Sequence, residues 1–201
     1  FVGAINFYSI LFNRFEDKLI SFLGFLLLIL TPRLFGDSFW NNKDIIFLSF
    51  YLISINFYFK FINIPTNQNL ILFGLFAAIS TSMRAAGIFL PLSFLLFYLI
   101  DFFSKNREIK IKFVFTLLLS YVFFITLFWP LLWEKWPLSL LTIINLEMSW
   151  GGQVNFLGEY YRSQFLPKYY LIVWILVSTP IPQILLFFHG LINYSKRLIL
   201  R

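Results

Sequence analysis

Two apolar runs, residues 19–30 and 45–62, enclose the stretch Thr31-Pro-Arg-Leu-Phe-Gly-Asp-Ser-Phe-Trp-Asn-Asn-Lys-Asp44. Long apolar runs separated by short charged segments recur to the end of the chain, and this pattern limits the available folds more than any single motif. A chain that is 60% hydrophobic and 12% charged, with a mean hydropathy of +0.81, holds more apolar surface than a soluble domain can bury. In hydrocarbon each backbone N–H and C=O must be satisfied within the protein, and helices do this segment by segment. The expected fold class is therefore all-α, a polytopic transmembrane helical bundle.

Taken in order, the runs predict about seven membrane helices and one short interfacial helix. Residues 1–12 form the end of a first helix, and Arg14, Glu16, Asp17 and Lys18 form a polar turn. The run 19–30 covers only part of a ~30 Å hydrocarbon core at about 1.5 Å per residue. It must borrow Leu34 and Phe35, or the loop after it must dip inward. Pro32 marks its end. Residues 45–62 make a full span, with Lys60 placed to snorkel. Helices over 70–80 and 88–100 meet at a turn around Arg84, and Gly74 and Ala78 give the first of them a small face for close packing. Residues 113–129 make the next span, and Trp129, Trp133 and Trp136 form an aromatic belt. Ser139, Thr142, Asn145 and Ser149 recur at helical spacing, which predicts an amphipathic surface helix over 138–148. Residues 151–168 read as a polar, Tyr-rich loop. A last span over 169–192 is expected to kink at Pro180 and Pro182. The chain starts at Phe1 inside an apolar run, so it is expected to be N-terminally truncated, residues 1–201 forming one membrane core.

The basic residues fall into two sets on alternate loops. Ten lie with Arg14, Lys60, Lys105 and Lys196, and six lie with Arg33, Arg84 and Arg162. The richer side is expected to be cytoplasmic. The net charge of +7 therefore reports topology and not nucleic-acid binding. The other face collects the 32–44 stretch, the Arg84 turn and residues 129–168.

That outer face holds the acids Asp37, Asp44, Glu134, Glu147 and Glu159. Carboxylates act as general bases or hold a divalent cation. Arg33, Lys43, Arg84, Arg162 and their neighbours suit phosphate, Arg as a planar fork and Lys as a point charge. With aromatic belts and a surface helix, this set fits transfer of a group from a lipid phosphate. Plainer readings stand beside it. Arg84 fits an interfacial anchor, Glu159 and Arg162 fit a local pair, and His189 fits a packed or interfacial residue. Cysteine is absent, so thiol chemistry and disulfides are excluded. No Walker-type loop is present. No cofactor is required by these residues, though the acids can accommodate a divalent metal.

The stretch 32–44 resembles the second outer-loop motif of bacterial family-39-like glycosyltransferases. These are GT-C-type membrane enzymes related to protein O-mannosyltransferases and the lipid A aminoarabinose transferase. Met83-Arg-Ala-Ala-Gly-Ile-Phe-Leu-Pro91 is similar to their short helix-pair motif with a central base. Phe128-Trp-Pro-Leu-Leu-Trp133, Gly158-Glu-Tyr160, Leu166-Pro-Lys-Tyr-Tyr170 and Ser178-Thr-Pro180 follow in the same order. The resemblance implies sugar transfer from a polyprenyl-phosphate-sugar lipid, at the outer face of a bacterial inner membrane, to a lipid, glycan or protein acceptor. It implies Asp44 and Asp37 as catalytic candidates, and Arg33, Lys43, Arg84, Glu159 and Arg162 as substrate-binding ones. It also places the family's first acidic outer loop upstream of Phe1, so the fragment alone is expected to be inactive. Two features depart from the family: that missing loop, and Pro167-Lys-Tyr-Tyr170 where Pro-Trp-His-Tyr is common. The competing expectation is a transporter or lipid flippase subunit, which would show matched internal repeats; none is found.

Because the chain carries no cysteine, single reporters test the topology directly. Asn106→Cys is expected to resist an impermeant thiol reagent on intact cells, and Gln153→Cys is expected to react. Labelling at 106 without labelling at 153 would reverse the orientation.

Overall fold

The structure, a computed structural model, describes residues 1–103, 111–133 and 151–199. The expected surface helix over 138–148, the bases Lys105, Arg107, Lys110 and Lys135, and the acids Glu134 and Glu147 lie outside the described residues. The chain divides into two compact units, Phe1–Leu30 with Leu34–Trp136, and Thr31–Arg33 with Pro137–Arg201.

The first unit is helical throughout its described residues. Its helices are α1 (Val2–Phe15), α2 (Lys18–Ile29), the greater part of α3 (Pro32–Trp40), α4 (Asn42–Asn63), α5 (Asn67–Met83), α6 (Phe89–Phe103) and α7 (Ile111–Phe128). Short 3-10 turns cover Ala85–Ile88 and Pro130–Leu132. The predicted polar turn at 14–18 is a tight joint. Glu16 takes a left-handed conformation (φ 54°), and the Asp17 side chain accepts from the Leu19 and Ile20 N–H groups at 2.7 and 3.0 Å. An Asp cap of this kind satisfies two of the free amides that begin a helix.

The polar stretch 32–44 is not the loop that was expected. Pro32 ends α2 but opens α3, since its fixed φ and missing N–H suit the first helical position. Phe35 and Phe39, one turn apart, meet edge-on at 5.3 Å and carry the helix forward. α2 and α3 are bent by 53° at the break.

α4 and α5 form an antiparallel pair closed by a short turn, in which Thr66 caps α5 by accepting from the Asn69 N–H at 3.3 Å. α5 also packs on α7, and α1 packs on both α4 and α2. Lipid tails are as apolar as Leu, so burying apolar side chains between membrane helices gains little; close packing and interhelical hydrogen bonds do the work. Both are present here. Gly74, Ala77 and Ala78 face neighbours on α5, and a Cβ at Gly74 would collide with Ser120 of α7. The expected small face on this helix is thus the contact with α7. Ser54 donates to the Phe73 carbonyl at 3.1 Å, Asn56 to Asn6 at 2.7 Å, and Tyr121 to Thr81 at 2.9 Å. Each such bond is worth about 0.6–2 kcal/mol in a membrane setting. At the closed end of the α4–α5 pair, the rings of Tyr58, Phe61, Phe73 and Phe94 meet in tilted or edge-on pairs with centroids 5.5 to 5.7 Å apart, and Phe113 meets Phe61 edge-on at 5.1 Å.

In the second unit the expected loop over 151–168 contains an antiparallel hairpin, β1 (Gln153–Phe156) and β2 (Glu159–Arg162), in the register Phe156↔Glu159 and Gln153↔Arg162. The all-α expectation is corrected to this extent. Leu157 (φ 55°) and Gly158 (φ 89°) make the two-residue turn, both with the positive φ that such a turn needs. Phe156 anchors the hairpin among the rings of Tyr161, Tyr169 and Tyr170. The last apolar run, expected as one span kinked at its prolines, is sharply broken. It is α8 (Tyr170–Ser178) and α9 (Ile181–Ile199), with 113° between Tyr170–Ser178 and Ile181–Lys196. Thr179, forced into extended geometry before Pro180, causes the break (φ −100°, ψ 129°).

Among the described residues, Asn42–Asn63 and Ile111–Phe128 are each long and apolar enough to cross a membrane. Four spans result if each bent pair counts as one. Among the described residues the expected count of about seven is not shown, because α1, α2, α5, α6 and α8 are each shorter than these two helices.

The return of the chain after α5 depends on Gly87. A Cβ there would lie 2.6 Å from the Thr81 Cα, a backbone atom that cannot step aside. Gly87→Ala is expected to lower stability by about 1–3 kcal/mol, the usual cost of overpacking. The thermal midpoint in detergent checks this, and an unchanged midpoint would show that the turn has room.

Candidate functional site

The antiparallel α4–α5 pair brings two polar residues together. Asp44 stands in the first turn of α4, and Arg84 stands immediately past the last turn of α5. They are equally distant in sequence from Ile64 at the closed end, so a straight return of the chain sets them level.

Each side is fixed locally. Asn41 precedes α4, and its amide donates to Asp44 Oδ2 at 2.6 Å. The Asp44 N–H donates to the Asn41 carbonyl at 3.2 Å. A carboxylate in the first turn also faces the positive end of the helix dipole. Arg84 caps α5 in extended geometry (φ −145°, ψ 133°). Its N–H donates to the Ser80 carbonyl at 3.0 Å, and its own carbonyl accepts from the Gly87 N–H at 2.9 Å. With its backbone tied at both ends, Arg84 extends its guanidinium to Asp44 Oδ1. The Arg84 side chain is 47% exposed and that of Asp44 28%, while Oδ1 itself is sealed from solvent. An ion pair of such exposure contributes about 0–1 kcal/mol to stability.

An apolar cavity of about 430 Å³ is walled in part by the same helix, lined by Leu28 and Ile29 of α2, Leu34 and Phe35 of α3, and Ile45 and Leu48 of α4. Ile45 follows Asp44 directly, so charge gives way to an apolar wall within one residue.

The other candidates are placed differently. Lys43 is exposed beside Asp44 in the first turn of α4. Asp37 is half-buried on α3, and its carbonyl accepts from the Asn41 N–H at 2.8 Å. Arg33 belongs to the second unit, where its guanidinium lies 4.2 Å over the Trp174 ring and Thr31 accepts from Gln183 at 2.7 Å. Glu159 and Arg162 are exposed at opposite ends of β2. Strand alternation turns residues three apart to opposite faces, so the helical pairing open to them in sequence does not apply. His189 lies on α9 with the Asn193 amide 2.9 Å from its Nε2.

The geometry thus unites Asp44 and Arg84 and adds Asn41, which sequence reasoning had passed over. The spacing Asn41-x-x-Asp44 at a helix start was the available signal, since it has the form of a capping pair. Among the described residues no three or more of His, Asp and Glu gather in one place. The neighbours of the Asp44 carboxylate are an amide and a guanidinium, not further acids.

A comparison with curated proteins and one with solved structures give no match. The family model described as dolichyl-phosphate-mannose-protein mannosyltransferase matches residues 2–133, which include Asn41, Asp44, Arg84 and the apolar cavity. The matched region covers well over half of the chain, and its apolar helices agree with an integral membrane protein; the chain belongs to this family of GT-C-type membrane glycosyltransferases.

Proposed function

We propose that the protein transfers a sugar from a polyprenyl-phosphate donor to an acceptor at the outer face of a bacterial inner membrane. The observation that supports this reading is the half-exposed Arg84 guanidinium, held by its backbone and paired with Asp44 at the start of α4, the helix whose Ile45, Leu48 and Leu52 line an apolar cavity. A lipid phosphate presents an anion at one end and an apolar tail at the other, and a guanidinium and an apolar cavity suit those two ends.

In the proposed reaction an acceptor hydroxyl oxygen forms a bond to the sugar's C1 while the bond from C1 to the phosphate oxygen breaks. That oxygen keeps the electron pair, so negative charge grows on the phosphate. Attack opposite the leaving group inverts the configuration at C1. Arg84 stabilises the growing charge, because a donor already in place needs no reorganisation when the charge appears. Lys43 adds a positive charge nearby. Asp44 positions the acceptor hydroxyl, and Asp37 supports it. The acceptor's proton passes to a carboxylate or to water. If a divalent metal takes part, Asp44 is the residue proposed to meet it.

The two broken helix pairs favour a second reading, a transporter or flippase subunit, since discontinuous helices line many transport sites. The family match and the lack of a repeat favour transfer.

Arg84→Lys keeps charge without the fork, and Arg84→Gln keeps neither. Donor-lipid affinity in detergent at fixed salt is expected to fall in the order Arg, Lys, Gln; equal affinity in all three would remove the clamp. In the full-length protein Asp44→Asn is expected to lower turnover by about two orders of magnitude with an unchanged folded yield. Unchanged turnover would leave Asp44 as a helix-start residue only.

A further inference from the structure

We infer that Asp44 is a resident anion in the seat of Arg84, and that a lipid phosphate must displace it to bind. This rests on the reading of Arg84 as the phosphate clamp.

Both oxygens of the Asp44 carboxylate are engaged, Oδ1 by the Arg84 guanidinium and Oδ2 by the Asn41 amide at 2.6 Å. Carboxylate and phosphate both match the planar fork of a guanidinium, so they compete for the same N–H groups. Arg84 is half exposed, and an anion arriving from outside can reach it. Asp44 Oδ1 is shut from solvent, so no second cation reaches that oxygen from outside. When the two anions meet, the carboxylate is the one that moves. The Arg84 backbone is tied to Ser80 and Gly87, whereas an Asp side chain turns about χ1.

The displaced carboxylate is not stranded. It stays in the first turn of α4, at the positive end of the helix, with Asn41 next to it. Displacement therefore costs chiefly the ion pair. It also orders events: the carboxylate is released towards an acceptor hydroxyl only after a phosphate has taken its place. An empty site holds Asp44 in the ion pair.

The test uses the protein purified in detergent and titrated with farnesyl phosphate and with inorganic phosphate at one salt concentration. Asp44→Asn is expected to bind farnesyl phosphate about fivefold more tightly, the scale of one partly exposed ion pair. The same replacement in an Arg84→Gln background is expected to change nothing, because no seat remains to be vacated. If Asp44→Asn folds poorly, Asp44→Ala carries the same expectation. Equal or weaker binding by the Asp44 variants, with Arg84→Gln binding weakly, overturns the inference and leaves the clamp intact. Equal tightening in both backgrounds also overturns it, since only overall charge would then be at work. Unchanged binding in Arg84→Gln alone overturns the clamp itself. Inorganic phosphate binding as tightly as farnesyl phosphate would assign the seat to free phosphate and not to a lipid.

Discussion

Close approach of α5 to its neighbours is the constraint on which the first unit depends. In a lipid setting, apolar burial between helices brings little, so helices associate where backbones come near enough for dense packing and for hydrogen bonds to form. Gly74, Ala77 and Ala78 allow that approach. The bonds from Ser54 to Phe73 and from Tyr121 to Thr81 then hold α4 and α7 against α5. Gly87 extends the same principle past the helix end, where backbone lies on backbone. Without this contact Arg84 would have no fixed place from which to reach α4.

Much of the architecture was legible because membrane helices announce themselves by length and apolarity. The runs at 45–62 and 113–129 are α4 and α7, and the small face on α5 was read before its partner was known. What failed was punctuation. Pro32 was read as a stop, yet a proline that ends one helix is equally suited to open the next, and the local pattern does not separate the two. Pro180 and Pro182 were read as a kink, whereas the extended residue before Pro180 turned the chain by more than a right angle. The hairpin was missed because Leu at its turn gives none of the usual Asn-Gly signal.

The site was legible in part for a related reason. Charged residues stand out against an apolar chain, so Asp44 and Arg84 were found as individuals. Their pairing belongs to the antiparallel return of α5 along α4, a tertiary fact that spacing alone does not contain. Arg33, Glu159 and Arg162 share the same chemistry but lie in the other compact unit, where Arg33 meets Trp174. Residue type thus nominated seven candidates without regard to neighbourhood, and the fold brought two of them together.

The level placement of Asp44 and Arg84 on either side of the Ile64 turn makes their contact a vernier for the whole helical pair. Adding one residue within α4 or α5 would leave each helix as apolar as before, and hydrocarbon would accept it. The added residue would nevertheless rotate everything beyond it by about 100° and shift it by about 1.5 Å. The bilayer is indifferent to that slip, but the carboxylate and the guanidinium are not. In a chain whose apolar surfaces tolerate many alignments, a polar contact at the open end distinguishes one alignment from its neighbours.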